Sequence, residues 1–308
     1  MPREIEIYGD ITLFGIRVEF NSDHQDALKA VLAAYSPWHS DSLDNAPSVY
    51  IVIKSRGAGD AVDVTEMHVH DTHLHIVRGG ITLHADGVAG RGRCEFPCEI
   101  AGSDAFLEAV NTIVFFLVAH AGRIPLHASA VMLDDTAIVF AGRSGSGKST
   151  LALAASQAGL PVLSDDTIFV QTVPRFRVWA FARAIHVFEK DAPKGVVAGM
   201  RFRSGRWKKA LTVATPRDMA ERAILCVLKR GEKVGLEPIG QTEAVAPFVA
   251  DPEPGYEFYG ERSADAARAL AKGGAWQLTL SADPAEAIDL VRRTFARPAV
   301  TEEDGSQE

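Results

Sequence analysis

Gly142-Arg143-Ser144-Gly145-Ser146-Gly147-Lys148-Ser149-Thr150 is the stretch on which the fold turns. It matches G-x-x-x-x-G-K-[ST], in which backbone N–H groups of a glycine-rich turn and of a helix start converge on phosphate oxygens. Ala137-Ile138-Val139-Phe140 leads in as a strand, and a small-residue helix over 149–158 leads out. That strand–turn–helix context is what the motif requires. Gly142, Gly145 and Gly147 allow backbone angles that other residues resist and let the chain approach a ligand. Ser144, Ser146 and Thr150 complete the cradle. Lys148 would bring positive charge to the β/γ-phosphates, and the Ser149 hydroxyl would ligate Mg²⁺. The cofactors expected are ATP and Mg²⁺.

A second signal lies 17 positions beyond Lys148, at Asp165. Pro161-Val162-Leu163 reads as a strand that ends on Ser164-Asp165-Asp166. Carboxylates at a strand end beside a phosphate loop suit Mg²⁺ and an attacking hydroxyl. Adjacent strand residues point to opposite faces, so the pair is expected to divide these roles. The alternative is a solvated turn or a helix cap.

Further out, strands are expected over 126–133 and 136–141, then 167–172 and 276–280, while 222–228 reads as a strand with a helix as the alternative. Helices are expected over 264–272 and 284–296. Such alternation argues for an α/β core. The basic stretch 201–209 reads as a loop, and 251–255 as a turn-rich connection. On the N-terminal side, apolar runs at 5–8 and 11–20 read as strands, followed by a helix over 23–35 that Asp23 would cap. Strands at 49–53, 62–69, 72–77 and 81–84 and a strong helix over 104–120 follow. The chain thus divides into a mixed α+β domain over 1–120, suited to acceptor docking, a nucleotide-binding catalytic domain over 121–300, and a disordered acidic tail over 301–308.

The 308 residues are 47% hydrophobic and 23% charged, with net charge −8. That composition excludes a long disordered chain or a fibrous repeat. It also argues against nucleic-acid binding through a globally basic surface. Three cysteines, Cys94, Cys98 and Cys226, are too few for a disulfide scaffold. Residues 1–6 lack an apolar signal core. The longest apolar run, 113–119, is far short of the roughly 20 residues needed to span a bilayer. A cytoplasmic protein with no membrane partner is expected.

His127 adds a family resemblance. It lies 15 positions before Gly142. The order His127-Ala128-Ser129, then the phosphate loop, then Ser164-Asp165-Asp166 resembles the bacterial HPr kinase/phosphorylase family. Its pattern is His-Gly, two strands, Gly-x-Ser-Gly-x-Gly-Lys-Ser, a helix and Ala-Asp-Asp, on a phosphoenolpyruvate-carboxykinase-like fold. The resemblance covers about residues 120–190, follows the rest of the C-terminal part in outline, and has no counterpart in the first 120. It implies an α/β P-loop kinase core of the HPr kinase C-terminal type and an ATP-dependent kinase that phosphorylates a serine hydroxyl. By position, Asp165 would be the general base, Asp166 would sit at the metal, and His127 would lie near the γ-phosphate and the base.

There are departures. The family's Glu-x-Arg-Gly segment reads here as Phe181-Ala182-Arg183-Ala184. Arg183 keeps the arginine on the nucleotide side, but Phe181 replaces a metal-ligand carboxylate, with Glu189 nearby. This weakens a reverse, phosphate-dependent dephosphorylation. Arg203, Arg206, Lys208 and Lys209 are candidate cationic contacts to phosphates or acceptor, or an ordinary solvated basic loop. The layout is also similar to lasso-peptide tailoring kinases, which implies a precursor-peptide serine as acceptor. A protein or peptide partner is therefore expected, and a homo-oligomer is compatible with it. The rival readings are a small-molecule kinase on the same core and an ATP-binding scaffold without transfer. Asp165 discriminates the scaffold, which would need Lys148 but no base.

Three weaker signals remain. Met67-His68-Val69-His70-Asp71-Thr72-His73-Leu74-His75, with His84 soon after, reads as a hairpin turning at Asp71-Thr72. Alternate histidines would share a face, either as a metal site or as a solvent-facing row with Val69 and Leu74 inward. Cys94 and Cys98 are separated by three residues, not the two of redox and zinc motifs. Phe115-Phe116-Leu117 is expected to pack between the domains.

Overall fold

Residues 11–20 are apolar enough to read as one strand, yet the chain reverses within them. β1 (Ile7–Leu13) and β2 (Ile16–Ser22) pair antiparallel with Leu13 opposite Ile16. Phe14 and Gly15 form the two-residue turn, with φ of 55° and 73°. Two positive φ values match the twist of the flanking strands. A bulky residue there is locally strained. The Phe14 side chain is buried, and its ring stacks on Phe169 with centroids 4.1 Å apart. A tertiary contact thus offsets the local cost.

The computed structural model describes residues 6–41, 47–57, 65–181, 184–187, 199–203, 206–211, 218–250, 252 and 255–296, with backbone alone for 186, 187, 199–208 and 257. After β2 come α1 (Gln25–Tyr35), β3 (Ser48–Arg56), β4 (Glu66–His70), β5 (His73–Arg78), β6 (Ile81–Asp86), β7 (Arg91–Pro97) and α2 (Asp104–His120). The first sheet is ordered β1-β2-β3-β7-β6-β5-β4. Then follow β8 (Ile124–Leu133), β9 (Thr136–Ala141), α3 (Lys148–Gln157), β10 (Val162–Ser164), β11 (Thr167–Gln171), β12 (Arg177–Trp179), β13 (Ile185–Val187), β14 (Gly199–Arg203) and β15 (Arg206–Leu211). The chain continues through β16 (Met219–Ala220), β17 (Arg222–Arg230), β18 (Gly235–Pro238), α4 (Gln241–Val249), α5 (Gly260–Ala271), β19 (Ala275–Leu280) and α6 (Pro284–Phe295). The second sheet is ordered β16-β12-β11-β8-β9-β17-β19-β18, with β10 also paired to β8. β13, β15 and β14 form a small third sheet. The architecture is mixed α/β.

Around the second sheet, α3 and α6 pack over one apolar cluster, which includes Leu151, Ile288 and Phe140. α4 and α5 pack over another, which includes Phe248, Leu270 and Val139. α2 lies against β6, β7 and β8. Its approach depends on Gly92, where a Cβ would stand 2.4 Å from Ile113. Phe115 on α2 meets Phe169 and Phe181 edge-on at 4.9 and 5.2 Å, so part of the expected Phe115–Leu117 packing does join the two sheets. Arg123 is buried there and donates to the carbonyls of Phe14 (3.0 Å) and Ala121 (3.1 Å). Burial, with Arg177 nearby, lowers its pKa to about 10. No helix among the described residues is long and apolar enough to cross a membrane.

Some local expectations need correction. His24, not Asp23, caps α1, accepting from Ala27 N at 3.3 Å. β2 runs on to Ser22, which leaves Asp23 to accept from Ser55 N at 2.8 Å and tie the helix entry to β3. The basic stretch 201–209 is a hairpin, β14–β15, with Phe202 opposite Trp207. Its charges alternate with apolar residues at a period of two, a strand pattern that the charge run obscured. The tail 301–308 lies outside the described residues, as does most of the expected 62–69 strand before Glu66.

Candidate functional site

β9 delivers the chain into the glycine loop, and α3 starts from it. Gly147 is the N-cap with φ 117°, and Gly145 takes φ 78°. At Gly147 a Cβ would stand 3.0 Å from Leu280 and 3.1 Å from the Arg230 guanidinium, so conformation and space both call for glycine. At Gly142 a Cβ would meet Ser146 Oγ at 2.8 Å. Ser146 N donates to Arg143 O at 3.0 Å and tightens the loop. Arg143, Ser144 and Gly145 are exposed, while Ser149 and Thr150 are half-buried in the first turn of α3.

Lys148 is only 6% exposed. Its ammonium donates to Gly142 O at 2.6 Å and Arg143 O at 3.2 Å. A buried charge needs such partners, and these fasten it beneath the loop. The first turn of a helix leaves N–H groups that the helix itself does not use, and its dipole favours negative charge. Ser146 Oγ is buried without a hydrogen-bond partner among the described residues. A cradle with a cation below it and helix N–H groups at its mouth fits a polyphosphate.

β8 brings the other groups alongside. Ala128 pairs with Ala141 on one edge, placing His127 at the level where β9 ends. On the other edge Ser164 pairs with Ala130 and Thr167 with His127. Asp165 and Asp166 are the bend between those two pairings. They diverge, although from a bend rather than from a strand. Asp165 is buried (3% exposed), and Ser129 Oγ donates to its backbone carbonyl and lies 3.4 Å from its carboxylate. Asp166 points outward, its side chain 56% exposed, with Oδ1 3.4 Å from His127 Nδ1. The histidine therefore stands beside the second carboxylate.

A narrow cleft of about 10 Å³, room for about one water, opens beside the loop. His127, Gly142 and Arg143 line it from the loop side, and Phe248, Tyr256 and Ser263 from α4, α5 and the segment between them. Tyr256 Oη is 2.5 Å from Thr167 Oγ1, and its ring is 5.5 Å from that of His127. Ser129, Thr167 and Tyr256 were not singled out in the sequence. Ser129 was legible as a polar position within an otherwise apolar strand, but Tyr256 is distant in sequence and carried no local signal.

Phe181 sits in the aromatic cluster, 5.9 Å from the Phe14 ring, 5.7 Å from Phe169 and 4.3 Å from Trp38. The position where the resembling family keeps a carboxylate is thus part of the core. Arg183 and Glu189 lie outside the described residues, as do the side chains of Arg203, Arg206 and Lys208. Among the described residues no three His, Cys, Asp or Glu side chains converge as a metal site. Mg²⁺ commonly takes only one or two carboxylates beside phosphate oxygens and waters. Cys94 and Cys226 are buried free thiols, pushed up to about 12 by burial, which makes them inert packing residues.

No family model matches the chain, and no curated protein does. Among solved structures, the chain is similar to the Hpr(Ser) kinase/phosphatase from Coxiella burnetii at 14% identity and a TM-score of 0.28, over 55% of this chain and 95% of that one.

Proposed function

We propose that this chain is an ATP-dependent kinase that moves the γ-phosphoryl group to a serine hydroxyl of a protein or precursor peptide. The observation that supports the reading is that the middle of β8 is flanked on one edge by the end of β9, which leads into the glycine loop over buried Lys148, and on the other by the bend that carries a buried and an exposed carboxylate. In this reading residues 121–300 form the catalytic domain, and the sheet of residues 1–120 presents the acceptor.

Lys148 and the N–H groups of the loop hold the β- and γ-phosphates. Mg²⁺, when bound, neutralises phosphate charge, with Asp166, Ser149 and waters as its ligands. His127 orients the Asp166 carboxylate. Ser129 fixes the bend that carries Asp165. Asp165 takes the proton from the serine hydroxyl as that oxygen bonds to the γ-phosphorus. The bond from the γ-phosphorus to the β–γ bridging oxygen breaks, and ADP leaves. Positioning and charge neutralisation are the main demands of this chemistry. Arg183 is assigned to the nucleotide side by the resemblance alone. With Phe181 in the core, forward transfer is the reaction expected.

The test is transfer from γ-labelled ATP by the full chain, with polypeptides of the native cell as acceptors. Label recovered as phosphoserine in a Mg²⁺-dependent manner supports the proposal. Label on a metabolite alone overturns it, and so does tight ATP binding with no transfer.

A further inference from the structure

We propose that His75 and His84, completed by His68, bind one borderline divalent metal ion (Zn²⁺, Ni²⁺ or Cu²⁺) on the outer face of the first sheet. The register places these three histidines directly across from one another on β4, β5 and β6. The next rung, Val69, Leu74 and Ala85, faces the core, where Leu74 is 2% exposed. Strand alternation therefore turns the whole histidine rung outward.

His75 Nδ1 and His84 Nδ1 are 3.1 Å apart, with ring centroids 4.4 Å apart. Metal–imidazole bonds of about 2.0–2.1 Å set neighbouring ligand nitrogens roughly 2.9–3.4 Å from each other in square or tetrahedral geometry. The two nitrogens, joined here by a hydrogen bond, stand at that spacing, so a metal ion would take the place of the shared proton. The His68 ring is parallel to His75 within 8°, at 6.2 Å. No three donors converge in the present rotamers among the described residues, so His68 must turn. Its side chain is 71% exposed, and turning would give up only a 4.0 Å contact with the exposed Glu66 carboxylate. A surface concavity of about 420 Å³ lies over the pair, with room for the ion and its waters. Arg93, next along the rung, is held by Glu95 at 2.6 Å, which offsets its charge. On the neighbouring rung Asp86 lies 3.7 Å from His73 and adds negative charge beside the site.

The test is titration of the untagged full chain with Zn²⁺ by calorimetry and with Cu²⁺ by electron paramagnetic resonance. One equivalent of Cu²⁺ with nitrogen splitting from three imidazoles is expected. His75→Ala and His84→Ala should each weaken binding by about tenfold or more. His68→Ala should remove one nitrogen from the spectrum. His70→Ala and His73→Ala should stay within about twofold of the parent. Unchanged affinity in His75→Ala and His84→Ala overturns the site. Equal losses from all five substitutions also overturn it, since they would mark a diffuse imidazole surface. Far-UV circular dichroism checks folding, and His84→Gln replaces any alanine variant that fails it.

Discussion

Beside the middle of β8, where β9 runs into the glycine loop on one edge and the Asp165–Asp166 bend lies on the other, buried polar groups gather. Lys148, Ser129 and Asp165 are all under 10% exposed. Two residues further along β11, at Phe169, the buried groups are rings, and Phe14, Phe115 and Phe181 gather on it. Burying rings is favourable in itself. Burying an ammonium and a carboxyl is favourable only with partners in place. The rings hold the two sheets together. In the proposed function the polar set serves chemistry at a cost in stability; it is drawn from α3, β8 and the bend before β11, while the rings gather on β11 itself.

The sharpest way to break this contrast is Phe181→Ala. It should cost about 3–5 kcal/mol, read as a lower denaturant midpoint, while transfer per folded molecule stays within a few-fold. Lys148→Ala should show the reverse. Transfer should fall by about 10²–10³-fold and ATP affinity should drop with it, while the midpoint moves less than in Phe181→Ala. Gly147→Ala sits between the two, because φ 117° and the contacts to Leu280 and Arg230 leave a methyl no relaxed position. It should cost about 1–3 kcal/mol and also slow transfer.

The smallest effect concerns His120, where α2 ends. Burial lowers its pKa below the usual 6.5, opposed in part by the Phe116 carbonyl, to which the ring nitrogen lies at 2.8 Å. Below about 6.5 the unfolded chain then binds the proton more readily than the folded one. Its contribution is therefore complete above that pH and is lost as pH falls through the lowered value. His120→Gln should flatten the acid side of a stability–pH profile. An unchanged slope would contradict the assignment.

The loop and its flanking elements were legible because each depends on near neighbours: β9, three glycines, Lys148 and α3 occupy about 20 consecutive positions. Asp165 and Asp166 do part, one buried and one exposed, but from a bend between two strands rather than by the strand alternation that the sequence suggests. The Phe14–Gly15 turn was not legible, because local preference disfavours a phenylalanine at positive φ and only Phe169, far along the chain, offsets it. Tyr256 was missed for a similar reason, since its partner Thr167 lies 89 positions away. The β14–β15 hairpin was misread because charge was weighed ahead of period.

The most direct measurement is Asp165→Asn with two readouts on one preparation, ATP affinity and phosphoryl transfer. If Asp165 accepts the serine proton, transfer falls by roughly 10²–10⁴-fold, while ATP affinity stays within about threefold. Near-normal turnover in Asp165→Asn would contradict the proposed chemistry.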